Sequence, residues 1–176
     1  MAGMVPLTDI WQPEQGLLRR QPELAQFFLN TGKPVWCYEA PGDVKGLRPL
    51  GYYRANPWMA FRLGLSGTGF WTQFYKGANE KDNDLWLSWA TSEFGANYVV
   101  NDKEVISRRW EAFRDGIEDV RAFLLLRKTA QEPRAVQRHP DLVRQVEDLL
   151  RNDVDKATQR AWECGDITRF LRDYEM

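Results

Sequence analysis

Pro34-Val35-Trp36-Cys37-Tyr38 and Gly67-Thr68-Gly69-Phe70-Trp71-Thr72-Gln73-Phe74 are the two stretches that decide the fold class. Each is a short apolar run bounded by Gly or Pro, rich in aromatic and β-branched side chains, and so reads as a strand. Between them, a Pro/Gly loop from Pro41 to Pro49 leads into Tyr52 to Leu63, where Trp58, Phe61 and Leu65 fall on one side of a helical pattern. Strand, helix, strand in that order predicts a crossover connection and a parallel sheet.

The pattern extends upstream. Val5-Pro6-Leu7-Thr8-Asp9-Ile10-Trp11 reads as a further strand that runs into a loop at Gln12-Pro13. Pro22 to Leu29 reads as a helix, with proline in its first turn and Gly32 just past its end. Downstream, Tyr75 to about Asp102 shows no clear period and is expected to be a long loop. From Val105 to Arg127, Ile106, Trp110, Phe113, Ile117, Val120 and Leu124 recur every three or four residues, which predicts an amphipathic helix. Its polar face carries Arg114 and Glu118 as an i,i+4 pair. Asp115 and Asp119 are like charges at the same spacing, so each lies in solvent or finds a partner on another element. Two more helices are expected, Asp141 to Arg151 and Val154 to Leu171, the second burying Ala157, Ala161, Trp162, Phe170 and Leu171.

Composition narrows the function. The chain has 176 residues, 28% of them charged, with a formal charge of −1, so no strong field favours nucleic acid or anionic lipid. No apolar run of the roughly 18 residues needed for a membrane span occurs. Met1-Ala2-Gly3-Met4 lacks the basic start and apolar stretch of a signal peptide, so either the chain stays in the cytoplasm or its original N-terminus has been removed. Cys37 and Cys164 are too few for a disulfide framework, and no Cys/His spacing suits a metal; Cys37, inside an apolar run, is expected to be a buried inert thiol. The single histidine, His139, precedes Pro140 and reads as a helix-start residue. No phosphate loop or nucleophile elbow occurs. Aromatic residues make up 13% of the chain, many beside Gly or Pro at strand ends; they serve either an aromatic core or flat platforms of the kind on which sugar rings stack.

Four segments together resemble the catalytic domain of glycoside hydrolase family 123, the β-N-acetylgalactosaminidases. Pro34-Val35-Trp36-Cys37-Tyr38-Glu39 is similar to that family's seventh strand, and Pro49-Leu50-Gly51-Tyr52-Tyr53-Arg54 with Pro57-Trp58 to the helix that follows. Gly64 to Trp71 looks like the eighth strand, and Ser107-Arg108-Arg109-Trp110-Glu111-Ala112-Phe113-Arg114-Asp115-Gly116-Ile117-Glu118-Asp119 like the final barrel helix. The resemblance spans residues 9 to about 125. It implies an α/β chain forming part of a (β/α)8 TIM-type barrel: its last three β/α units over residues 1–128, with a helical C-terminal extension over 129–176 packed on the same domain. A whole barrel needs about 250 residues, so this length supplies only an arc.

The family cleaves β-N-acetylhexosaminides with help from the substrate's own acetamido group, using consecutive Asp-Glu acids on an earlier strand. No Asp-Glu dipeptide occurs in this sequence, so the isolated chain is expected to lack the general acid, worth about 10²- to 10⁴-fold in rate. No catalytic residue, metal or cofactor is therefore assigned. Barrel sites lie at the carboxyl ends of strands, which makes Asp9, Trp11, Trp36, Tyr38, Glu39, Trp71 and Gln73 candidate contacts for an amino sugar or oligosaccharide. Trp36 or Trp71 would form the stacking floor, Tyr38 would donate to the acetamido oxygen and Glu39 would accept from hydroxyls. Arg54 either contacts a substrate carbonyl or pairs with an acid. Alternatively the chain is a non-catalytic sugar-binding or interaction protein. An arc has open edges and an apolar inner face; the missing barrel part, self-association or the C-terminal helices are expected to cover it.

Overall fold

In a computed structural model, residues 2–39, 49–71, 73, 96–100 and 103–164 are described. The expected α/β character holds at the coarse level: a small parallel sheet sits against a larger helical layer. Strand β1 is Trp36–Glu39 and strand β2 is Gly67–Phe70, paired in parallel with Trp36 opposite Gly67 and Tyr38 opposite Gly69. Helix α1 is Gln15–Arg20, α2 is Pro22–Asn30 and α3 is Ala55–Arg62. Helices α2 and α3 both stop at a glycine with positive φ, Gly32 at 71° and Gly64 at 72°. That left-handed residue turns the chain from helix into the following strand, a conformation only glycine adopts without strain.

The upstream strand is largely absent, a correction to the reading of Val5–Trp11. Ala2–Leu7 is a 3-10 helix instead. Thr8 donates from its hydroxyl to the Met4 carbonyl at 2.9 Å, closing the turn, and Pro6 has the φ of a helical turn but no N–H for a ladder. What survives is a pair of parallel bridges, Trp11 to Val35 and Glu14 to Tyr38. Three parallel segments therefore lie side by side in chain order, the first reduced to two contacts because Pro13 interrupts it.

Behind the sheet, Trp11, Leu18, Ala25, Phe28, Val35, Cys37 and Ala60 form one core cluster. Trp11 and Phe28 meet at 5.0 Å between ring centroids, and the Trp11 indole N–H donates to Thr31 at 3.0 Å. Each large side chain in this cluster contributes roughly 1.5–3 kcal/mol.

The second half departs from expectation in its winding. Pro49–Arg54 is a π-helical turn running straight into α3, and a second π turn, Leu149–Asp153, joins α6 (Pro140–Asp148) to α7 (Val154–Cys164). The two C-terminal helices read from sequence are thus one continuous helical run with a loosened turn inside it. His139 is the residue before α6, as read, and a short α5 (Pro133–Arg138) precedes it. Residues 165–176, which include the expected Phe170 and Leu171, lie outside the described residues. Most of the expected loop, residues 75–95 and 101–102, lies outside the described residues; its end and the residues that follow form a hairpin, β3 (Tyr98–Val100) pairing antiparallel with β4 (Lys103–Val105).

Helix α4 is Arg108–Ala130, so it crosses residue 128, where a boundary had been expected. The Ser107 hydroxyl caps it, accepting from Arg109 N at 3.0 Å and Trp110 N at 3.3 Å. Its contact face matches the apolar stripe read from sequence only in part, with Trp110, Phe113 and Val120 half-buried. Ala112 and Gly116 are buried, while Ile106, Ile117 and Leu124 stay exposed. The cause is a close backbone approach: Gly116 lies directly on the Arg54 peptide of the first π turn. Arg54 then binds Asp119, with Nε at 2.7 Å and Nη2 at 3.1 Å from its two oxygens, and the Trp58 indole N–H donates to the same carboxylate at 3.0 Å. Asp119 therefore has outside partners, and Arg114 pairs with Glu111 at 2.6 Å, not with Glu118. Phe123 completes the seam, 5.2 Å from Trp58 and 5.4 Å from Phe61. Helices α6 and α7 pack on α4 and α3 and leave the outer face of the sheet uncovered by described helices.

A methyl at position 116 would meet the Arg54 carbonyl carbon at 3.0 Å and overlap its oxygen. Gly116→Ala is therefore expected to lower stability by about 2–3 kcal/mol, read as a urea midpoint. Gly69→Ala, with open space above it, should stay within about 0.5 kcal/mol of the parent.

Candidate functional site

Alternation along β1 divides the predicted residues between two faces. Trp36 and Tyr38 point outward, 42% and 38% exposed, whereas Cys37 and Glu39 point into the helical layer. The outer neighbours of Trp36 and Tyr38 are glycines, Gly67 and Gly69. A side chain at Gly67 would collide with the Trp36 indole, its Cδ1 only 2.7 Å away, so the ring lies across the bare backbone of β2. Space above Gly69 is open. Trp71, one residue past β2, is 56% exposed. The result is a shallow aromatic surface along the outer face of the two parallel strands, with Trp36 at the start of β1, Tyr38 near its end and Trp71 past the end of β2, built because glycine keeps the opposing strand flat.

Glu39 does not belong to that surface, which corrects its grouping with Trp36 and Tyr38. Its carboxylate is buried and accepts from the Gly16 backbone N–H at 3.0 Å. Around it lies a polar seam that sequence reasoning missed. Gln15 donates to the Cys37 sulfur at 3.4 Å and to the Asn56 carbonyl at 3.3 Å. The Cys37 thiol donates to Thr68 at 3.4 Å, Thr68 to Asn56 Oδ1, and Asn56 Nδ2 to the Gly69 carbonyl at 3.2 Å. Cys37 is buried as expected, and burial raises its pKa, with Thr68 and Gln15 opposing the rise and the Glu39 charge adding to it, which favours the protonated thiol.

Beyond the seam, Tyr52 and Tyr53 stack edge-to-face at 4.8 Å, and Phe70 meets Tyr53 at 4.9 Å and Phe113 at 4.9 Å. Burial lifts the Tyr52 pKa well above the ordinary phenol, helped by Glu39. Burial also pushes Tyr53 up to about 12, with Arg109 pulling the other way. The Tyr53 hydroxyl has no hydrogen-bond partner among the described residues.

The remaining predicted contacts have other tasks. Trp11 is a core residue, 8% exposed, and Arg54 is committed to Asp119. Asp9 is exposed in a bend ahead of the Trp11 bridge. Gln73 donates to Glu104 at 3.4 Å, where Asn97 also donates at 3.2 Å, tying the chain after β2 to the hairpin. Of the eight residues, then, the fold brings together Trp36 and Tyr38, with Trp71 at the neighbouring strand end.

Comparison of the chain with protein-family models, curated proteins and solved structures gives no match. The site therefore rests on its own chemistry. The aromatic surface offers flat apolar contact, a phenol and an indole N–H, and the one strand-end acid, Glu39, is turned away from it. Among the described residues no group of three His, Cys, Asp or Glu could hold a metal ion, and no helix is long and apolar enough to cross a membrane.

Tyr53 supplies a check on the buried side. A folded pKa near 12 above a free value of 10.0 means the native state holds its proton longer than the unfolded chain. Its stabilising contribution is complete below pH 10 and lost as pH rises toward 12. Tyr53→Phe removes an unsatisfied hydroxyl, so it should leave stability at pH 7 unchanged or slightly higher. It should also flatten the decline between pH 10 and 12 in urea titrations; an unchanged slope would contradict the assignment.

Proposed function

We propose that this chain handles amino-sugar glycosides as the closing arc of a β-N-acetylgalactosaminidase-type barrel, and that on its own it binds sugar without cleaving it. The observation that carries the reading is the Trp36–Tyr38 surface over Gly67 and Gly69. Aromatic faces on a flat parallel sheet suit the C–H face of a pyranose, with Tyr38 and Trp71 toward the carboxyl ends of their strands, and the Tyr38 hydroxyl and Trp36 indole N–H supply donors for an acetamido oxygen.

Retaining, substrate-assisted hydrolysis needs an acid at the glycosidic oxygen and a carboxylate beside the acetamido group. No described acid stands on the aromatic surface, and Glu39 is held on the opposite face by Gly16. Binding without turnover is the function these residues support, and the missing barrel staves would bring the acids. The missing staves would pair along the open edges of the sheet and leave its aromatic face free for sugar.

N-acetylgalactosamine titrated into the chain should shift the Trp36 and Tyr38 amide resonances and saturate in the millimolar range. Trp36→Ala should weaken binding about five- to tenfold without changing the melting temperature, and a chromogenic β-N-acetylgalactosaminide should hydrolyse at the buffer rate. Absence of binding at saturating sugar, or turnover by the chain alone, would remove the reading.

A further inference from the structure

Away from the sheet, α3, α4, α6 and the second π turn enclose a cleft of about 440 Å³, a size typical of small-molecule sites. Phe61, Val146 and Leu150 line it with apolar surface. At its edge Arg62 is paired with Asp155 and so is neutralised. Two further arginines in the lining differ. Arg127 places its guanidinium 4.4 Å from the centroid of the Phe61 ring, a stacking that fixes its orientation, and it has no carboxylate partner among the described residues. Arg151 likewise lacks one, and only Glu147 among the lining acids remains to offset the pair. Two guanidinium groups without a carboxylate partner, one of them oriented by stacking, beside apolar side chains are a receptor for negative charge carried on an apolar body. The helix wall supplying Leu150 and Arg151 is the π turn itself, and such local loosening recurs at ligand sites.

We propose that this cleft is a binding site for a small organic anion, with a ring-sized apolar body against Val146 and Leu150 and a phosphate or carboxylate group facing Arg127 and Arg151. The site shares no residue with the aromatic sheet surface, so either can exist without the other.

Nitrogen–proton correlation spectra of the full chain, titrated with phenyl phosphate, benzoate, benzyl alcohol and inorganic phosphate, test it. Phenyl phosphate or benzoate should shift the amides of Arg127, Gln131 and Arg151 and saturate in the millimolar range, while benzyl alcohol and inorganic phosphate bind at least about tenfold more weakly. Which organic anion binds tighter separates a phosphate ligand from a carboxylate. Arg127→Gln and Arg151→Gln should each weaken binding about tenfold at an unchanged melting temperature. Arg151 is exposed, so its variant folds even where the loss of Phe61 stacking perturbs the other. The proposal falls if neither organic anion moves these amides, if benzyl alcohol binds equally well, if inorganic phosphate does, or if Arg151→Gln binds like the parent.

Discussion

Everything in the helical layer follows from the distance at which α4 meets the first π turn. Gly116 allows backbone to touch backbone at Arg54, and at that separation the Arg54 side chain reaches Asp119 as a two-pronged pair. A partly buried, bidentate ion pair that also accepts the Trp58 indole N–H is worth more than an exposed one and fixes the rotation of α4 about its axis. With that rotation set, Phe123 meets Trp58 and Phe61, and Phe113 meets Phe70. The same rotation leaves Ile117 and Leu124 in water.

The sheet obeys a different constraint. Two strands of four residues cannot stand alone, and here they are held from behind by polar as well as apolar contacts. Gln15, Cys37, Thr68 and Asn56 link α1, both strands and α3 in one hydrogen-bonded seam, and such a seam tolerates few alternative registers because each slip leaves a buried group unpaired. The rigidity of the back face keeps Trp36 and Tyr38 presented on the front.

Local chemistry was legible where it was local. Pro22 and Gly32 marked α2, the glycine-bounded runs marked β1 and β2, and His139-Pro140 marked the start of α6. The alternation that puts Trp36 and Tyr38 on one face was readable, yet the same rule placed Glu39 with Cys37, and strand-end position alone had suggested otherwise. The α4 stripe misled in part because periodicity locates apolar residues but not the neighbour: a glycine contact and a partly buried ion pair outweighed three large side chains. The hairpin's signal, Tyr98-Val99-Val100 followed two residues later by Lys103-Glu104-Val105, was present but short. Neither π turn has a composition that sets it apart from an α-helix.

That first π turn also makes the chain sensitive to length. An α-helix advances about 100° per residue, so losing one residue between 49 and 54 would let the segment rewind regularly and swing Tyr52 and Tyr53 off the cluster they share with Phe70 and Ala112. Point substitutions there change one contact, whereas a single-codon deletion would shift the phase of every residue that precedes α3. Spacing, before side-chain identity, is what inheritance has to preserve in this segment.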